Sequence, residues 1–313
     1  MVTARYRGLV FDSARWDGFD LRPGDVVVST PAKCGTTWTQ AICAFLVRGS
    51  AELEAPLDEL SPWLDSLLRP FAEVREGLDA QPGRRVIKTH TPLDGVPRVD
   101  GVAYVCVGRD LRDAFSSWDD HVANVDPVRL FEARAAAVGL DDLAELFPDG
   151  PPPVPPTVDE RLRVWIESPL RDGNGASDLN LALALAHLTD AWARRDDPAV
   201  LLVHYADLRA DLAGGVARVA DHLGIVPEPE TLGRLVEAAS FERMRERAEE
   251  LAPETTSAIW WETEAFFRTA RSGSGRDLMV GDNGERYARR CRELASPAVI
   301  DWIHRDGGVV SGG

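Results

Sequence analysis

The chain has 313 residues, of which 44% are hydrophobic, enough to bury a full α/β core as one large domain. Its formal net charge of −16 argues against a general nucleic-acid binder and requires any anionic ligand to be met by a local basic pocket. No apolar run is long enough to span a membrane, and Met1–Gly8 lacks the apolar stretch of a signal peptide, so a cytoplasmic protein without a membrane span is expected.

In chain order, the first predicted element is a buried strand over Asp25–Thr30, Val-rich and followed by the turn Pro31–Gly35. A helix over Thr36–Arg48 comes next, with Trp38, Ile42, Phe45 and Leu46 at helical spacing and Gly49 to end it. Further strands are predicted at Arg85–Thr89, Val102–Val107 and Val200–Val203. Helices are predicted at Leu111–Val122, Asn180–Arg194 and Asp211–Leu223. The alternation implies a single α/β domain, residues 1–313, with a central, mostly parallel sheet flanked by helices. Between the third and fourth strands, Phe147–Pro156 carries six prolines in ten residues and reads either as a functional loop or lid or as a disordered surface excursion. The four cysteines, Cys34, Cys43, Cys106 and Cys291, have no metal-ligand spacing and are expected to be reduced and mostly buried.

Of 35 basic residues only Lys33 and Lys88 are lysines. An ammonium is a compact point charge that the planar guanidinium does not reproduce, so these two positions are candidates for a specific role. Lys33-Cys34-Gly35-Thr36-Thr37 lies between a predicted strand and a helix N-terminus. It gathers backbone N–H groups, two hydroxyls and an ammonium in one small volume, as a phosphate cradle does. The order differs from the GxxxxGK[ST] loop because the lysine precedes the glycine.

These residues resemble the cytosolic-type sulfotransferases. Thr30-Pro31-Ala32-Lys33-Cys34-Gly35-Thr36-Thr37-Trp38 is similar to the family's YPKSGTTW loop, Lys88-Thr89-His90-Thr91-Pro92 to KTHLP, and Tyr104 through Ser117 to YVARNPKDVAVS. His204–Leu208 is similar to the YEDL segment, Ser240–Met244 to SFxxM, and Phe266-Phe267-Arg268 to the start of the FxRKGxxGDWK tail. Ser61–Asp65, Thr91–Gly95 and Cys106–Asp110 look closest to actinobacterial members, some of which act on glycolipids.

The resemblance implies a metal-independent transfer of a sulfuryl group from 3′-phosphoadenosine 5′-phosphosulfate to a hydroxyl of a small, largely apolar acceptor. It assigns His90 as general base, Lys33 to the bridging or 5′-phosphate oxygen and Lys88 to the sulfuryl oxygens. Cys34, Gly35, Thr36 and Thr37 complete the phosphosulfate loop, and Arg109, Ser117 and Arg268 meet the 3′-phosphate. Trp38 fits both the helix's apolar stripe and a stack on adenine, and Tyr205 and Phe241 stand the same way. His121, His187, His204 and His222 read as structural or surface residues, and His304 in its polar stretch is given no role. Acceptor walls are expected near Phe11–Phe19, Trp63–Phe71 and Asp119–Phe147. The tail departs from the pattern, with Thr269, Ala270 and Gly275 where the family has Lys, Gly and Trp. A kinase of a small alcohol and a non-catalytic nucleotide binder are the alternatives. The loop order opposes the first and the intact Lys33, Lys88 and His90 the second. The dimerisation pattern KxxxTVxxxE is only partly echoed, by Arg276 and Glu285, which leaves the oligomeric state open.

Overall fold

Four short apolar runs pair in one parallel sheet, ordered β2-β1-β3-β4, in a computed structural model that describes residues 2–150, 153–170, 179–252, 259–262 and 273–305. The strands are β1 (Val26–Ser29), β2 (Val86–Thr89), β3 (Ala103–Gly108) and β4 (Val200–His204). Each lies within a residue of its predicted bounds, because β-branched runs buried on both faces are what a covered parallel sheet selects. Alternation splits the core. Val26, Val28, Val105 and Val107 enter one cluster, and Val27, Ile87, Tyr104 and Cys106 enter another on the opposite face.

Helices fill both faces in chain order: α1 (Thr36–Arg48), α2 (Leu57–Leu60), α3 (Phe71–Ala80), α4 (Leu111–Ala123), α5 (Pro127–Val138), α6 (Leu143–Leu146), α7 (Val158–Glu167), α8 (Leu181–Ala193), α9 (Tyr205–Ala210) and α10 (Leu212–His222). α1 has its predicted bounds. α8 and α10 begin one residue late because Asn180 and Asp211 are caps, their side chains accepting from the Leu183 and Gly214 amides. The C-terminal helices Asp282–Leu294 and Pro297–Ile303 join α4, α7 and α8 in a third cluster beside the sheet.

Around the proline-rich stretch, Phe147–Gly150 and Pro153–Pro156 lie outside any helix, and a capping box of Thr157 and Glu160 then starts α7. All four cysteines are buried free thiols.

Because the strands are parallel, their carboxyl ends share one edge. The path from β1 runs first to β2 on one side and then back across to β3 on the other, so the loops after β1 and β3 part at a topological switch point. In open α/β sheets that crevice is where ligands bind.

Candidate active site

The loop after β1 is held in an unusual backbone shape. Lys33 has φ 62°, the only positive value outside glycine among the described residues, and Gly35 has φ 101°. A Cβ at Gly35 would come within 2.9 Å of the Tyr205 ring, so both conformation and space demand glycine there. Gly35 also caps α1 without any side-chain hydrogen bond, which leaves the first-turn amides and the positive helix end to serve an anion. Thr30 and Thr36 link their hydroxyls, bracing the loop across its base.

Arg109, just past β3, donates from Nη1 to the Lys33 carbonyl at 2.9 Å and lays its guanidinium 4.5 Å over the Tyr205 ring. Tyr205 meets Trp38 edge-on at 5.4 Å, and the Trp38 indole N–H donates to the Ala239 carbonyl at 2.7 Å. Trp38, Tyr205 and Phe241 are all partly buried at the rim of one cluster, so apolar packing and an open aromatic face coexist. Cys34 is fully buried, and burial pushes its thiol up to about 12, which rules it out as a thiolate nucleophile.

At the end of β2, the segment Pro62–Leu64 extends the sheet by pairing with both backbone groups of Lys88, at 3.0 and 3.1 Å. Trp63 is thereby set between two site residues. The Lys88 ammonium lies 4.7 Å from its ring centroid and the His90 ring meets it edge-on, also at 4.7 Å.

His90 is buried, and its Nδ1 lies 2.8 Å from the Thr30 carbonyl oxygen. A carbonyl only accepts, so Nδ1 carries the proton and Nε2 the lone pair. Burial, followed by the charge of Lys88, lowers its pKa well below the usual histidine value. The ring is therefore neutral at ordinary pH.

Asp65, fully buried, secures the backbone around that ring. It accepts from the hydroxyls of Thr89 and Thr91, each at 2.6 Å, and from the Trp16 indole at 3.2 Å. Its role was not drawn from the sequence, although Asp65 stands in one of the family-like phrases.

Beside His90 a narrow cleft is lined by Ala32, Trp118, Trp165, Asn180, Leu183 and His187 among others. Its wall comes from the loop after β1, α4, α7 and α8, and none of these lining residues falls in the segments expected to form it; Phe11 and Trp63, which do, stack on each other at 6.3 Å without lining the cleft. His187 is a buried wall residue. Ser29 donates its one hydroxyl proton to the Thr91 carbonyl at 2.7 Å, so His187 donates to Ser29 Oγ from Nε2 at 3.0 Å. Burial lowers its pKa to about 3.

Two other histidines differ from their expected standing. His304, given no role in its polar stretch, is buried and bonded through Nε2 to the Tyr287 hydroxyl at 2.6 Å. His121, read as structural or surface, is brought to the site: its Nδ1 is 3.3 Å from Lys33 Nζ, and its ring lies against Trp118 and Trp260. Position on α4 alone could not show this, since the contact spans 88 residues.

Ser117 is half-buried on α4, one turn beyond Asp113. The Asp113 carboxylate accepts from the amides of Gly273 at 2.8 Å and Gly275 at 2.9 Å, and a Cβ at Gly275 would lie 2.0 Å from the Arg112 carbonyl oxygen. The end of the altered tail is thus docked on the turn leading to Ser117, with glycine required by close backbone approach. Arg268, with Phe266, Phe267, Thr269 and Ala270, lies outside the described residues.

Of the three residues singled out by the motifs, His90 lines this cleft, Lys88 lies over the Trp63 ring and lines a second, smaller pocket with Thr37 and Gln40, and Lys33 stands in the loop after β1 against His121. Residues 23–297 match the Sulfotransferase domain family. The chain belongs to the sulfotransferases. A glycolipid sulfotransferase of Mycobacterium tuberculosis strain H37Rv is 42% identical over 306 residues, covering 96% of this chain and 93% of the relative. One from Mycobacterium bovis is 41% identical over 312 residues with the same coverage. A solved retinol dehydratase, in complex with androsterone and the inactive cofactor PAP, shares the fold at a TM-score of 0.68 and 22% identity, covering 91% of this sulfotransferase and 86% of that chain. This sulfotransferase is accordingly a transferase, and the motif resemblance implies 3′-phosphoadenosine 5′-phosphosulfate as its co-substrate. Its residues suit that co-substrate: the glycine-requiring loop and uncapped helix end offer an anion cradle, with Arg109 beside it.

Proposed function

We propose that this sulfotransferase transfers the sulfuryl group to a sugar hydroxyl of a glycolipid, with His90 as base and Lys33 and Lys88 as the balancing charges. The observation that carries the roles is the fixed tautomer of His90, whose proton is committed to the Thr30 carbonyl. Its Nε2 takes the acceptor hydroxyl proton as the acceptor oxygen bonds to sulfur and the bond from sulfur to the bridging phosphate oxygen breaks. Lys33 meets the charge growing on that leaving oxygen, and Lys88 the sulfuryl oxygens, a division of labour between positioned cations. The first-turn amides of α1, with Thr36 and Thr37, hold the 5′-phosphate. Arg109 and Ser117 hold the 3′-phosphate, and Trp38, Tyr205 and Phe241 border the adenine.

The glycolipid class is supported by the two mycobacterial relatives and by a cleft in which Trp118, Trp165 and Leu183 stand beside the polar Asn180 and His187. Among the described residues no helix is long and apolar enough to cross a membrane. The four free thiols support a reducing, cytoplasmic setting for the enzyme.

The test supplies radiolabelled donor with a glycosylated diacylglycerol in detergent, a methyl glycoside or 4-nitrophenol. A kcat/KM at least about tenfold higher for the lipid is expected from burial of its apolar part. Preference for 4-nitrophenol would overturn the acceptor class, and transfer from ATP in place of this donor would overturn the reaction.

A further inference from the structure

His121 sits where no motif places a reacting group, yet it touches the lysine that the motif does place. Lys33 Nζ and His121 Nδ1 are 3.3 Å apart. An ammonium has three protons and no lone pair, so the ring nitrogen facing it must be the acceptor and the proton must lie on Nε2. The imidazole is also gripped. Trp118 stacks on it with centroids 5.3 Å apart and planes 29° apart, and Trp260 meets it at 4.7 Å and 60°. Trp260 is anchored by the Val125–Trp260 bridge, and its neighbour Trp261 donates from its amide to the Asn124 carbonyl at 2.9 Å. Two elements distant in sequence therefore fix one ring in front of one flexible lysine.

We propose that His121 is a positioning residue for the sulfuryl transfer, accepting a hydrogen bond from Lys33 so that the ammonium is already oriented toward the donor's bridging oxygen. The inference rests on the role given to Lys33 above. A lysine stem has several rotatable bonds, and holding its head before reaction spares that ordering in the transition state. The acceptor nitrogen stays available because desolvation, then Lys33 and Lys88, keep the ring well below the usual histidine pKa.

The experiment is a double-mutant cycle. His121→Leu in the intact chain should lower kcat roughly tenfold, as loss of a bond to a charged donor does, with acceptor KM changed less than about twofold. His121→Gln keeps a carbonyl acceptor and should recover most of the turnover. In a Lys33→Ala background, His121→Leu should have no further effect. Thermal melting of each variant shows that the fold is retained. An equal loss with and without Lys33, no recovery with Gln, or a loss confined to acceptor KM would each overturn the inference and reduce His121 to a cleft wall. Wild-type turnover in Lys33→Ala alone would instead overturn the role of Lys33 itself, a separate result.

Discussion

Around the ends of β1 and β2, Ser29, Thr30, Asp65, Thr89, His90 and Thr91 are tied together by hydrogen bonds of 2.6–2.9 Å. Across the cleft, Trp118, Trp165, Leu183 and Ala184 offer ring faces and methyl groups. The difference follows from what each half must do. Proton transfer and charge neutralisation depend on angles and on fixed protons, which only a hydrogen-bonded frame specifies. Retaining an apolar acceptor depends on area and shape, which helices supply and substitutions adjust by degrees.

Three experiments separate the halves, in order of expected effect. His90→Gln should cut turnover by about 10²–10⁴-fold, the usual worth of a positioned base, with affinity for adenosine 3′,5′-bisphosphate within about twofold by calorimetric titration. Wild-type turnover in this variant would place the proton transfer elsewhere.

Leu183→Phe narrows the cleft from the helical side. It should raise acceptor KM by about tenfold while kcat and nucleotide affinity change little, the signature of lost uniform binding. A fall in kcat equal to the fall in kcat/KM would show that the apolar wall also orients the reacting hydroxyl.

The smallest effect is in the pH profile. With His90 as the proposed neutral base, activity should be lost as pH falls through its pKa, which burial holds below the usual value of about 6.5. The acid limb of kcat/KM for the donor should therefore lie below pH 6.5. In kcat it should lie higher, because the bound anion favours imidazolium. An acid limb of kcat/KM at or above 6.5 would mean that the frame around β2 does not shield this ring.

The frame was legible in the sequence where local order carries it. Val26–Val28 announces a covered strand, and Lys33–Thr37 and Lys88–His90 stand at strand ends where pattern and motif agree. Asp65 was not legible as a clamp, since its partners Thr89 and Thr91 are more than twenty residues away. Nor were α7 and α8 as cleft walls. Leu181–Leu185 is apolar or alanine at every position and fully buried, so no helical face stands out to point at a ligand. His121 and His304 escaped for a related reason: a histidine's partner is decided by tertiary contact, and neither histidine belongs to a short phrase with a known geometry.

The contact between Arg109 and the Lys33 carbonyl changes how variants of this arginine should be interpreted. A lysine with φ 62° departs from its backbone preference, at an energy of about 1–2 kcal/mol for an L-residue, so its neighbours must hold the turn. Arg109 is one of those neighbours, through its 2.9 Å bond to the Lys33 carbonyl. Removing the guanidinium would thus loosen the turn that carries Lys33 as well as withdraw the ligand proposed for the 3′-phosphate. A loss of nucleotide affinity in such a variant measures two events, binding at one end of the donor and loop order at the other.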